Sequence, residues 1–114
     1  MDIGAMDPPA RIKLGLKPRV TGLPWVVWLI RKRADQEIVI ELTETAEYDE
    51  RSALVFLLEP TLIQLSGQPL DFNELEMLGA WVRSNMDLIE AYWEWTVPSG
   101  AEAVKRVIKA KPRW

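Results

Sequence analysis

The sequence predicts an α+β fold: a small, mostly antiparallel sheet of three or four strands, one long helix packed across it, and a short C-terminal helix closing an end. Three observations carry that expectation. Short apolar runs recur between residues 25 and 65, joined by polar links too short for the crossovers that parallel strands need. After residue 70 the apolar residues switch to helical spacing. The chain has 114 residues, 48% of them hydrophobic, which is enough for one domain with one core.

The elements follow in order. Residues 1–10, MDIGAMDPPA, are small, proline-rich and without pattern, and are expected to be disordered. The single domain is expected to span residues 11–114. Ile12, Leu14 and Leu16 alternate, but Gly15, Pro18, Gly22 and Pro24 interrupt them, so 11–24 reads as an arm or a short edge strand. Residues 25–30, WVVWLI, are apolar on both faces, as a buried strand would be. After a turn at 31–36, residues 37–45 alternate. Ile38, Ile40 and Leu42 share one face and Val39, Glu41 and Thr43 the other, the pattern of a half-buried strand. An acidic loop or a single helical turn at 46–52 leads to an apolar strand at 53–58. Glu59-Pro60 breaks that strand, because proline lacks the ladder N–H. Leu62, Ile63 and Leu65 form one more short strand before Ser66-Gly67-Gln68-Pro69.

The long helix is expected over 71–95. Asp71 is a favourable N-cap with Glu74 three residues on, and Leu70 and Leu75 sit at the two positions of a hydrophobic staple. At about 100° per residue two adjoining apolar stripes emerge. Leu75, Leu78, Val82, Met86, Ile89 and Trp93 form the first, and Met77, Trp81, Leu88, Tyr92 and Trp95 the second. Pro98 stops this helix. Ser99 and Glu102 make a second capping box, with Val104, Val107 and Ile108 in the short helix behind it.

Composition removes several chemistries. There is no cysteine, so disulfides, thiolate nucleophiles and zinc–cysteine sites are excluded. There is no histidine, the commonest general base and metal ligand. No phosphate loop, nucleophile elbow or metal-ligand spacing occurs, so no catalytic, cofactor-binding or metal-binding residue is assigned, and no enzyme is expected. Glu41, Glu44, Glu47, Asp49 and Glu50 are the densest carboxylates, but they lack the calcium-loop pattern and read as a solvated acidic loop. The first twenty residues carry Pro8, Pro9 and four basic residues without an apolar stretch, and the longest apolar run is too short to span a bilayer. A cytoplasmic protein without membrane association is expected.

Charge is segregated along the chain. Residues 1–33 hold seven basic and two acidic groups, net +5, and residues 34–60 hold one basic and eight acidic, net −7. Residues 61–95 are net −5 and residues 96–114 net +4. Basic ends that fold over an acidic body, or meet another copy's body, account for this pattern. Contact with nucleic acid through Arg11, Lys13, Lys17, Arg19, Arg31, Lys32, Arg33, Lys105, Arg106, Lys109, Lys111 and Arg113 is the alternative.

The candidate partner-binding residues are Trp81, Asn85, Tyr92 and Trp95. Asn85 falls inside the apolar arc. An amide there must find hydrogen-bond partners or cost about 1–3 kcal/mol. It either ties the helix to backbone of a strand or of the N-terminal arm, or anchors a partner between aromatic walls. The aromatics have two readings as well: core packing, or anchors of an interface.

The segment EPTLIQLSGQPLDFNELEMLGAWVRSNMDLIEAYWEW resembles the C-terminal half of a family of small, uncharacterised bacterial proteins. In that family a strand pair leads into a helix bearing a W-x3-N motif followed by a Tyr-Trp pair, matched here by Trp81, Asn85, Tyr92 and Trp93. A short helix follows, matched by 101–110. Members are often encoded beside toxin–antitoxin genes, so the resemblance implies a regulatory or antitoxin-like binding role. Members often carry histidines before this segment, and this chain has none. The expected function is therefore a protein–protein interaction module, self-associating as a homodimer and acting as an accessory or antitoxin-like factor. Nucleic-acid binding is the alternative, and a carboxylate-based enzyme the weakest.

Overall fold

A computed structural model describes residues 13–30, 37–59, 61–94 and 96–110 of the chain. The elements run β1 (Lys13–Leu16), α1 (Pro18–Thr21), β2 (Val26–Ile30), β3 (Val39–Thr43), β4 (Leu54–Leu57), β5 (Ile63–Ser66), α2 (Phe72–Trp93) and α3 (Gly100–Arg106). The five strands lie side by side in chain order, every neighbouring pair antiparallel. This is the expected α+β class, with five strands rather than three or four. The expected disordered N-terminus at 1–10 and the turn at 31–36 lie outside the described residues.

The additional strand is β1. Gly15 weakens its pattern in the sequence, yet the sheet requires glycine there. Gly15 sits opposite Trp28, whose ring lies over it, and a Cβ at Gly15 would fall 2.9 Å from two ring carbons. After β1 the chain turns through α1, which ends on Gly22 at φ 81°, a left-handed C-cap.

The two sheet faces are finished differently. On one face Leu16, Val27, Leu29, Ile40, Leu42 and Phe56 are sealed under α2. Each such side chain contributes about 1.5–3 kcal/mol by leaving water. The other face is closed by polar and aromatic groups. Lys13 Nζ lies 3.0 Å from Glu41 Oε1 and 3.9 Å from the centre of the Tyr48 ring. Trp28 meets Tyr48 edge-on, ring centres 5.4 Å apart. Its Nε1 donates to Thr43 Oγ1 at 2.8 Å, and that hydroxyl donates to the Thr45 carbonyl at 2.7 Å. Glu41 and Thr43 are therefore buried, and β3 is covered on both faces rather than half-buried as its alternation suggests. Alternation marks a residue as polar but not as unpartnered. Here Lys13, Trp28 and Tyr48 supply the partners.

The helix caps form as the sequence indicates. Asp71 accepts from the Glu74 amide at 2.8 Å, and Glu74 Oε1 accepts from the Asp71 amide at 2.9 Å. At α3, Ser99 Oγ accepts from the Glu102 amide at 3.1 Å, but the Glu102 carboxylate turns to Arg106 Nε at 3.1 Å. Helix α3 is shorter than expected. Val107 is extended at ψ 132°, so Val107 and Ile108 belong to a strap over residues 107–110 rather than to the helix.

Candidate functional site

Helix α2 buries both of its apolar stripes in the same core. Trp81 and Tyr92 from the second stripe, and Asn85 between the two stripes, are each 3% exposed or less, alongside Leu78, Val82, Ile89 and Trp93 from the first. Of the two roles open to Trp81 and Tyr92, the interior one describes where they lie. Trp95 lies outside the described residues. Among the described residues the indole N–H groups of Trp81 and Trp93 have no hydrogen-bond partner, so the benefit of burying these rings is apolar.

The C-terminal strap is fastened to α2 at Asn85, which is the clamp. Its Nδ2 donates to the carbonyl of Ile108 at 3.0 Å, and its Oδ1 accepts from the Ile108 amide at 2.7 Å. The same Nδ2 donates to the Trp81 carbonyl at 2.9 Å. The side-chain amide thus pairs with a peptide unit as a neighbouring strand would. Sequence reasoning offered a strand or the N-terminal arm as this partner, and the structure supplies the strap instead. Two residues on, the Ala110 amide donates to the Thr21 carbonyl at 2.6 Å, pinning the strap beside α1. A hollow of about 220 Å³ beside Asn85, lined also by Ser84, Asp87, Leu88, Arg106 and Ile108, is shallow, and the Asn85 amide is already occupied.

Two surfaces present unspent chemistry. The first is β5. Among the described residues nothing pairs with its outer edge. Ile63 is 44% and Leu65 55% exposed, beside the half-buried Leu57 and Val55 of β4. A bulge between Val55 and Phe56 leaves Leu65 out of the ladder. The Gln64 side chain is committed to the following turn, donating to the carbonyls of Ser66 and Gln68 and accepting from the Leu70 amide.

The second is a cleft of about 860 Å³ at the sheet end where β3 stops and β4 starts. Trp25, Leu42, Leu54 and Leu70 form its apolar floor. Glu44, Glu47, Asp49 and Glu74 line it against a single cation, Arg51. Sequence reasoning found these carboxylates as a solvated loop but could not find the cleft, which needs the turn at 67–70 brought opposite them. Glu41 is drawn away to Lys13, and among the described residues no three acidic side chains converge as metal ligands would.

The basic residues divide. Lys13 and Arg106 are paired with Glu41 and Glu102. Lys17 and Arg19 are exposed at α1, and Lys109 packs against Gly22 beside them. Arg11, Arg31, Lys32, Arg33, Lys111 and Arg113 lie outside the described residues. Among the titratable groups Glu90 stands out. Burial, then the nearby carboxylates of Glu59, Glu94 and Asp87, and a hydrogen bond with Glu59, raise its carboxyl above the usual range.

No protein-family model, curated protein or solved structure matches the chain. Among the described residues no helix is long and apolar enough to cross a membrane.

Proposed function

We propose that this protein is a non-catalytic protein-interaction module that self-associates through β5. The observation that supports this reading is an uncharged edge strand with exposed apolar side chains. From residue 61 to residue 70 the chain carries no charge, and Ile63 and Leu65 stand exposed on β5. An unpaired row of backbone N–H and C=O groups with apolar flanks is a template for another strand, and proteins ordinarily blunt such edges with charge or proline. Two copies can pair β5 antiparallel about a two-fold axis without bringing like charges together, which gives a closed dimer. The setting that the resemblance implies is an accessory or antitoxin-like role in bacteria.

Size exclusion with light scattering tests the reading. A dimer mass for the native chain and a monomer mass for Leu65→Lys are expected. A native chain that stays strictly monomeric at high concentration overturns it.

A second reading, nucleic-acid binding, draws on one corner, where Lys109 lies against Gly22 with Lys17 and Arg19 nearby. A shift assay on DNA and RNA should then show retention that weakens steeply with salt. No retention at low salt removes that reading.

A further inference from the structure

We infer that the cleft between the 44–53 loop and the 67–70 turn is a docking groove for a basic peptide segment of a partner protein. This goes beyond self-association, because the groove is a different surface from the β5 edge and needs no second copy. The argument begins with volume. About 860 Å³ is far more than one ion or one water cluster fills, and lies in the range of clefts that hold several groups, about 300–1,000 Å³.

Charge then selects the occupant. Among the described residues Glu44, Glu47, Asp49 and Glu74 oppose only Arg51, a surplus of three negative charges (four less one). Among the described residues Glu44, Glu47 and Asp49 join no ion pair. Glu74 also accepts from the Asp71 amide. Carboxylates that outnumber the cations around one cleft repel one another, and an incoming cation relieves that repulsion. The floor adds a second requirement. Leu54 and Leu70 are half-buried and offer the cleft an apolar patch, so the occupant must bring aliphatic or aromatic groups as well as cations. A peptide with lysine or arginine flanking an apolar side chain satisfies both, and a bare polycation satisfies only the first.

The rim is also preformed, which lowers the ordering cost of binding. Tyr48 is held between Trp28 and Lys13. Thr43 Oγ1 donates to the Thr45 carbonyl, and Thr45 Oγ1 to the Glu47 carbonyl. Asp49 closes the loop by accepting from the Arg51 amide at 3.0 Å, while its carbonyl accepts from the amides of Ser52 and Ala53.

The test uses a short synthetic peptide of alternating lysine and leucine, with spermidine and a glutamate–leucine peptide as controls, followed by calorimetry and backbone amide shifts. The full chain and its Leu65→Lys variant are both titrated. The lysine–leucine peptide is expected to bind saturably to both proteins, to shift the amides of Glu47, Leu54 and Gln68, and to weaken as salt rises. Glu44→Lys with Glu47→Lys, two exposed changes, should cut affinity by roughly tenfold or more with an unchanged melting temperature. Absence of shifts at the cleft in both proteins overturns the groove, and so does spermidine binding as tightly as the peptide. Neither result touches the β5 reading, which stands or falls on the mass of the native chain.

Discussion

Among the described residues the sheet has two outer strands, and the chain treats them in opposite ways. β1 is guarded. Lys13 projects from it and is answered by Glu41 and Tyr48, and Lys17 and Arg19 follow at once on α1. C-terminal elements close in on the same side: Gly100 of α3 packs against Leu14, and the strap reaches Thr21 through Ala110. β5 has none of this. Its neighbourhood is uncharged from 61 to 70, its two large apolar side chains are exposed, and among the described residues nothing covers it. Edge protection is thus a property of surroundings rather than of the strand. Both strands are four residues long with two large aliphatic side chains each, and only one has had neighbours recruited to it.

The largest expected effect comes from stripping the guard off β1. Lys13→Met leaves Glu41, only 8% exposed at its side chain, without its cation. Removing one partner of such a pair costs about 3 kcal/mol. A melting curve should show it, and Lys13→Met with Glu41→Leu should recover most of the loss, since two apolar groups replace the pair. If the double variant is as unstable as the single one, desolvation is not the cause. The double variant also gives the sheet two uncharged edges. Light scattering should then detect species larger than a dimer, because β1 and β5 of successive copies can join in an open chain.

Releasing the strap comes next. Asn85→Ala removes three hydrogen bonds and strands the Ile108 peptide, at a cost of about 2 kcal/mol. Hydrogen exchange should accelerate at Ile108 and Ala110 before it does at Ile40 or Phe56. Uniform acceleration would mean that Asn85 supports the whole core and not the strap.

Changes on β5 should barely move stability. Leu65→Lys is expected to stay within about 0.5 kcal/mol of the native monomer, since Leu65 is 55% exposed. A larger loss measured under monomeric conditions would show that Leu65 packs within its own chain.

The smallest effect lies at the end of α2. Glu90 binds its proton more tightly folded than unfolded, because burial and the carboxylates of Glu59, Glu94 and Asp87 disfavour its charge. Its contribution is therefore fully present below the ordinary glutamate value and is lost as pH rises through the raised folded value. Glu90→Gln should flatten that decline and leave the acid limb unchanged. An identical pH profile for the two proteins would rule the effect out.

Much of this architecture is legible in the sequence. The apolar runs at 25–30 and 53–58 become β2 and β4, and the Asp71 and Glu74 pair marks the start of α2 to the residue. Those signals are local, since a periodicity or a cap is complete within one turn or one strand. The strand at β1 was obscured because its most diagnostic residue, Gly15, reads as a breaker until Trp28 is known to lie over it. The site residues were harder. The sequence places Trp81 and Tyr92 on one helical stripe and Asn85 between that stripe and its neighbour, but whether a stripe is interface or interior depends on what the rest of the chain lays against it.

The long helix, the strands β2 to β5 and the acidic middle segment were determined by the sequence alone, because each depends on neighbours along the chain. The five-stranded order, the Lys13–Glu41 pair across 28 positions and the Asn85–Ile108 clamp across 23 were decided only in three dimensions. So were the gathering of Leu54 and Leu70 into one cleft and the contrast between the two edges. Polar partners far apart in the chain leave no periodic trace. What a surface can bind depends on which of its groups have already found one another.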